Sequence, residues 1–255
     1  MKRRLAGILL LLLFSRSLWA GKKEDYKERS DIAEQWFFHE LPRHIGNDLK
    51  ETFWNQWHLL GIAAGTGLTL GIHQKDPEIQ AEFHPRDILG SANDLFNILG
   101  NGLVLGGGAL VATTTFKLLE MPRATWTAGT MLEALTLTYA FTYPLKLMTQ
   151  RERPDGSNSY SFPSAHASGS FALATVAESF YGPWIGIPSY LLATLISLSR
   201  LDSNKHVASD VMAGALLGTV VGLGTARFHK EERKDFFVAP NLSASGGGIQ
   251  IGRLF

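Results

Sequence analysis

Lys146 stands seven residues before Arg153-Pro154, Pro163-Ser164-Ala165-His166 follows, and Ser199-Arg200 precedes His206 and Asp210. These three clusters supply three cations, two imidazoles, a carboxylate and a hydroxyl. That set suits the binding of a phosphate and the breaking of its ester. Phosphoryl transfer spreads negative charge over the equatorial oxygens, so catalysis is mostly positioning and stabilisation by fixed donors. Arg153 and Arg200 offer planar forks that match phosphate, and Lys146 a mobile point charge. The two histidines fit the remaining roles, since imidazole is nucleophilic when neutral and acidic when charged.

His206 and Asp210 are four residues apart and would share one face of a helix. The carboxylate can then hold the proton of one ring nitrogen and leave the other free to attack phosphorus, as in the orienting logic of a Ser-His-Asp triad. The apolar run from Val211 to Gly224 extends a helix from this pair. His166 belongs to another cluster and is the candidate general acid. Pro163-Ser164-Ala165-His166 opens the apolar segment from Ala167 to Ala177 and marks a helix start, where unpaired N–H groups and the positive dipole end collect anions. The Ser164 hydroxyl can join those donors. Pro154 biases Arg153 towards extended backbone and ends the helix that carries Lys146.

The arrangement K-x6-R-P, P-S-x-H and S-R-x5-H-x3-D resembles the signature of the type 2 phosphatidic acid phosphatase and vanadium haloperoxidase superfamily. It runs from Lys146 to Asp210, and the helical pattern from about Trp57 to Arg227 is compatible with that family's core. One position departs: Ala165 stands where the family usually has glycine. Its N–H can still donate, but its methyl narrows the approach of a phosphate. The resemblance implies that His206 forms a phosphohistidine, Asp210 orients it and His166 protonates the leaving group. It assigns the phosphate to Lys146, Arg153, Ser164, the Ala165 backbone and Arg200, and it implies phosphatase chemistry with no metal or other cofactor.

Simpler readings exist for each residue alone. A single arginine is more often a solvated helix end, and a His with an Asp four residues on is more often a surface pair; the ordered set rarely arises by accident. A zinc site built from His166, His206 and Asp210 matches no zinc spacing, and the arginines would repel the ion.

The chain has 255 residues, a net charge of +1, 18% charged residues and no cysteine. It is long enough for one substantial domain, shows no nucleic-acid footprint and excludes disulfides and thiol chemistry. Lys2-Arg3-Arg4, the apolar run Leu5 to Phe14 and Ser17-Leu18-Trp19-Ala20 resemble a bacterial secretory signal over residues 1–20, or an uncleaved anchor. Residues 21–56 are expected to form a helical arm, 57–230 a six-helix phosphatase bundle and 231–255 a tail. The apolar segments run Trp57 to Ile72, Leu95 to Phe116, Thr127 to Met148, His166 to Tyr181, Trp184 to Leu198 and Val211 to Ala226. Their richness in Leu, Ala and Gly points to an all-α bundle. In the tail, Phe236 to Ala239 and Ile249 to Phe255 flank Gly246-Gly247-Gly248 as a hairpin turned at the glycines, expected to cap the bundle.

Most apolar runs are near or below spanning length and mean hydropathy is +0.03, which favours a soluble or peripheral bundle. Against this, Ala167 to Ser199 carries a single charge and is rich in small residues, as packed membrane helices are. Basic residues near Lys117, Arg123 and Arg227 to Lys234 place a six-span protein with its termini in the cytoplasm and the motifs outside, whereas a cleaved signal would invert that topology. The balance favours a membrane-associated protein of a Gram-negative envelope with its site facing the periplasm. The expected function is a metal-independent phosphatase acting on a lipid phosphomonoester or pyrophosphate, such as phosphatidate, an isoprenoid pyrophosphate or a lipid A phosphate. The alternatives are a soluble periplasmic non-specific acid phosphatase acting on small phosphoesters and, from another class, a non-catalytic lipid-binding or envelope transport protein. The sequence sets no oligomeric state.

Overall fold

Backbone punctuation decides where the helices begin and end. In the computed structural model, which describes residues 46–47, 49–50, 52–53, 56–83, 88–232, 237–243 and 246–252, every long described element is helical. The export segment over 1–20 and the arm over 21–56, up to residue 45, lie outside the described residues. From residue 48 onward the chain forms one compact unit. Its helices are α1 (Gln56–His73), α2 (Asp76–Phe83), α3 (Asn93–Leu99), α4 (Gly102–Leu118), α5 (Pro122–Thr149), α6 (Ala165–Tyr181), α7 (Pro183–Asp202) and α8 (Ala208–Glu232). Proline fills the first turn of α5 and of α7, where its missing N–H costs nothing. Gly182, at φ +75, takes the chain from α6 directly into α7.

Three boundaries differ from the sequence expectation. The apolar segment from Leu95 to Phe116 is two helices, α3 and α4, bent by 58°. The break has a local cause, because Asn101 is extended and its side chain accepts the Leu103 N–H, restarting the helix. The acidic connection between His73 and Asp94 contains the helix α2. Helix α5 ends at Thr149 with Gln150 left-handed at φ 43, four residues before Pro154, so the proline follows the stop and does not make it.

Helices α6 and α8 pack backbone to backbone. A Cβ on Gly214 would lie 2.4 Å from the Ser164 carbonyl oxygen, one on Gly218 2.1 Å from that of Ser168, and one on Gly222 2.9 Å from that of Ala172. Both series advance by four residues, so a glycine ridge on α8 follows a matching row on α6. The contact holds the start of α6 against the start of α8, where the Ser164 N–H donates to the Asp210 carbonyl at 3.0 Å.

The buried core is made largely of alanine, with Leu135, Val176, Ile196 and Val221 among its larger members, while Trp184 is 89% exposed and Leu103 87%. Large apolar side chains thus lie outward on α1, α4 and α7, a surface that water does not favour. By length and composition α7 and residues 208–230 of α8 can each cross a membrane, and the bent α3–α4 pair can form a third, broken span.

The tail forms an antiparallel hairpin of β1 (Phe237–Ser243) and β2 (Gly246–Gly252), with Ser243 opposite Gly246. The glycine triplet therefore lies in β2, opposite Ser243, Leu242 and Asn241, and is not the turn.

Candidate functional site

The polar residues of the three clusters gather where α5 ends and α6 and α8 begin. Ser164 is the N-cap of α6, with extended backbone and its hydroxyl accepting from the Ala167 N–H. The Ser168 N–H goes to the Ser164 carbonyl, so the Ala165 and His166 amides are the open donors of this first turn.

His206 does not lie on a helix with Asp210. Helix α8 starts at Ala208, which puts Asp210 in its first turn, and its Oδ2 reaches back to the Val207 N–H at 3.2 Å. This is half of a capping box, and it brings the carboxylate under the ring: His206 Nδ1 lies 3.4 Å from Asp210 Oδ2. Ser161 donates to the same oxygen at 2.5 Å, and its Oγ is 3.3 Å from Nδ1. Since Ser161 spends its hydrogen on the carboxylate, Nδ1 carries the hydrogen shared between these acceptors and Nε2 keeps the lone pair. Burial pushes His206 down to about 4, with Lys146 and Arg200 adding to the shift and Asp210 opposing it.

Lys146 is buried and directs Nζ to the carbonyls of Tyr160 at 2.7 Å and Ser161 at 3.3 Å. Burial lowers it to about 8, helped by the charges of Arg153 and Arg200 and opposed by Asp210. Arg153 donates Nε to the Asn158 side chain at 2.9 Å. Arg200 donates to the Asn97 side chain, and its buried Nε has no hydrogen-bond partner among the described residues. His166 points Nε2 at the Asn97 carbonyl, 3.0 Å away. Burial brings it down to about 3, with Arg200 the next cause and His206 and Arg153 contributing. Shared partners draw these groups together: Asn97 joins Arg200 to His166, and Ser161 joins Lys146 to His206 and Asp210.

Several residues of this centre carry no signal in the motif spacing. Arg151 spans two carboxylates, with one arm on Asp210 Oδ1 and the Ser209 hydroxyl and the other on Asp76 Oδ2 at 2.9 Å. Asp76, on α2, also accepts from the Ser209 N–H and hydroxyl and from His73. Burial works against its charge, yet the bonds from Ser209, His73 and Arg151 hold it below the ordinary carboxylate value. Arg151 stands two residues before Arg153, and that proximity to a motif arginine is the one hint the sequence offered. A cavity of about 410 Å³ opens beside Arg151 and Ser209, walled by Leu70, Thr149 and Phe162. Lys205 pairs with Asp155, joining the loop before α8 to the loop after α5.

Nucleophilic nitrogen, backing carboxylate, convergent cations and open amides at a helix start form an anion site able to hold a phosphoryl group. The chain is similar to known proteins over this region. Residues 127–234 match the PAP2 superfamily. A stretch of 75 residues is 43% identical to the lipid A 1-phosphatase of Porphyromonas gingivalis, covering 28% of this chain and 17% of that protein. The aligned part is thus about a sixth of the length of that relative. Among solved structures, the PAP2-type phosphatidylglycerolphosphate phosphatase of Bacillus subtilis is similar over 72% of this chain and 96% of its own, at 19% identity and TM-score 0.57. Aquifex aeolicus LpxE matches over 60% of this chain and 94% of its own, at 22% identity and TM-score 0.48.

Proposed function

From a chain that belongs to the PAP2 superfamily through its domain at residues 127–234, we propose a metal-independent lipid phosphatase that works through a phosphohistidine. The observation that carries the proposal is the His206 ring, neutral by burial and backed by Asp210 and Ser161, with Nε2 left to react. Nε2 attacks phosphorus in line, the bond to the leaving oxygen breaks, and His166 gives that oxygen its proton. Its Nε2 is engaged by the Asn97 carbonyl, so Nδ1 is the atom available for the transfer. Water then attacks the phosphohistidine, His166 takes the proton of the water, and phosphate leaves with His206 restored. Arg153, Arg200, the remaining N–H of Lys146, the Ser164 hydroxyl and the Ala165 amide hold the equatorial oxygens. An incoming phosphate opposes the cations that depress His166 and returns its proton.

The lipid nature of the substrate rests on the outward apolar faces of α1, α4 and α7 and on the likeness to a lipid A 1-phosphatase. We place the protein in an envelope membrane with this site towards the periplasm. Phosphate release from phosphatidate and from a lipid A phosphate, in chelator, tests the activity: wild type should turn over and His206→Ala should not. Turnover of soluble esters alone would favour the acid phosphatase reading, and binding without turnover the transport reading. Because the chain has no cysteine, a single Ser157→Cys reports sidedness by its labelling with an impermeant thiol reagent in whole cells.

A further inference from the structure

Asn97 lies on α3, thirty residues before the matched family domain begins, yet it touches two of the site's residues, Arg200 and His166. Its Oδ1 receives a hydrogen bond from Arg200 and another from the Ser199 hydroxyl at 3.2 Å. Its amide nitrogen donates to the Ser203 hydroxyl at 3.1 Å, which Asn93 also holds, one helical turn earlier. Its backbone carbonyl faces His166 Nε2 at 3.0 Å. The same junction is tight: a Cβ on Gly100 would sit 2.3 Å from Ile196 and 2.7 Å from the His166 ring. Arg200 is 8% exposed and its Nε has no acceptor among the described residues. A buried guanidinium pinned at one nitrogen with another left open is aimed at an acceptor that arrives from outside.

We propose that Asn97 is a positioning residue of the phosphate site, fixing the Arg200 fork for a phosphate oxygen while its carbonyl sets which His166 nitrogen carries a hydrogen. The broken helix pair is then part of the site: the bend after α3 brings Asn97 and Gly100 against the ends of α6 and α7. This inference rests on the phosphatase reading, since it assumes that Arg200 meets phosphate. It predicts that Asn97 acts through Arg200 and not through the general stability of the fold.

A double-mutant cycle in full-length protein in detergent tests this, with binding of inorganic phosphate read by calorimetry and by the shift in melting temperature. Asn97→Ala should weaken phosphate binding about tenfold, in line with the loss of a hydrogen bond to a charged group. Arg200→Ala should weaken it at least as much, and the double variant no further than Arg200→Ala alone. Asn97→Asp separates positioning from folding: its carboxylate still holds the buried arginine, so melting of the free protein stays near wild type, while its charge competes with phosphate and binding falls below that of Asn97→Ala. A further tenfold loss in the double variant, or wild-type phosphate binding by Asn97→Asp, overturns the proposal. A wild-type protein that neither binds phosphate nor releases it overturns the phosphatase reading and this one together, whereas active wild type with an additive cycle overturns this one alone.

Discussion

Helix α8 has a buried histidine facing a carboxylate at each end. Just before its first turn His206 lies 3.4 Å from Asp210; near its last turn His229 lies 2.7 Å from Glu133 on α5. The distant pair has the shorter contact and is packed by the rings of Trp126 and Phe228. Pair geometry therefore does not separate the proposed nucleophile from a structural pair. The surroundings differ: Lys146, Arg151, Arg153 and Arg200 cluster about the first pair, next to the open amides of a helix start, where an anion is favoured. At the second pair the helix is ending and its carbonyls favour a cation, which suits a structural His–Glu contact.

The largest expected effect separates the two ends directly. His206→Ala should lower kcat/KM for phosphate release by about 10⁴-fold or more, as loss of a covalent nucleophile does. His229→Ala should stay within a few-fold and show its cost as a lower melting temperature. Equal losses of activity in the two variants would break the distinction between them. Next in size are the groups behind the nucleophile. Asp210→Asn should cost about 10³- to 10⁴-fold through the wrong tautomer, by analogy with the carboxylate of a triad. Arg151→Ala leaves Asp210 and Asp76 buried without their shared cation and should cost about 10- to 100-fold in kcat, while Glu133→Gln at the other end leaves kcat unchanged.

These contrasts also explain what the sequence could and could not reveal. Lys146, Arg153, Ser164, His166, Arg200, His206 and Asp210 could be proposed from the sequence because each lies in a short motif and the helix starts carry local signals such as the Ser164 cap. The all-α bundle was legible from its apolar segments. Asp76 and Asn97 were not, since they meet the site across 133 and 103 residues of chain, through contacts that only packing creates. The break at Gly100-Asn101 was hidden because both of its sides are apolar, and the position of His206 outside the helix because its spacing from Asp210 also fits a helical face. Asp210 reaching back to cap its own helix gives the same neighbours by another route.

Between the two ends runs the glycine ridge, and it gives an effect smaller than those in the site. Gly218→Ala puts a methyl 2.1 Å from the Ser168 carbonyl, so α6 and α8 must separate; overpacking of this kind costs about 1–3 kcal/mol. Gly107→Ala on α4 meets nothing within 4 Å and should leave stability unchanged or slightly raised. Denaturation in mixed detergent compares the two. If the strain at Gly218 also shifts Ser164 away from the Asp210 carbonyl, kcat should fall with stability, and Gly107→Ala should show neither change.

The smallest effect is in pH, and it asks whether burial really distinguishes His206. Its pKa of about 4 lies below the ordinary value of 6.5, chiefly through burial, with Lys146 and Arg200 adding and Asp210 opposing. In the unfolded chain the ring takes up a proton as pH falls through 6.5, while the folded protein resists until about 4. The stability contributed by a neutral His206 is thus whole above 6.5 and declines across that window, not above it. Activity follows the same group from the other side. His166 must carry a proton, and in the empty site its pKa is about 3, so kcat/KM should rise as pH drops below neutrality until His206 itself becomes charged. At pH 5.5 a solvated histidine would be only about one-tenth neutral, so the gain over an ordinary ring is about tenfold at most. Asp210→Asn, by removing the charge that holds the proton on, should move the acid limb lower still, whereas His229→Ala should leave it in place. An acid limb at 6.5 in wild type would mean that water reaches His206, and the contrast between the two ends of α8 would then rest on the cations alone.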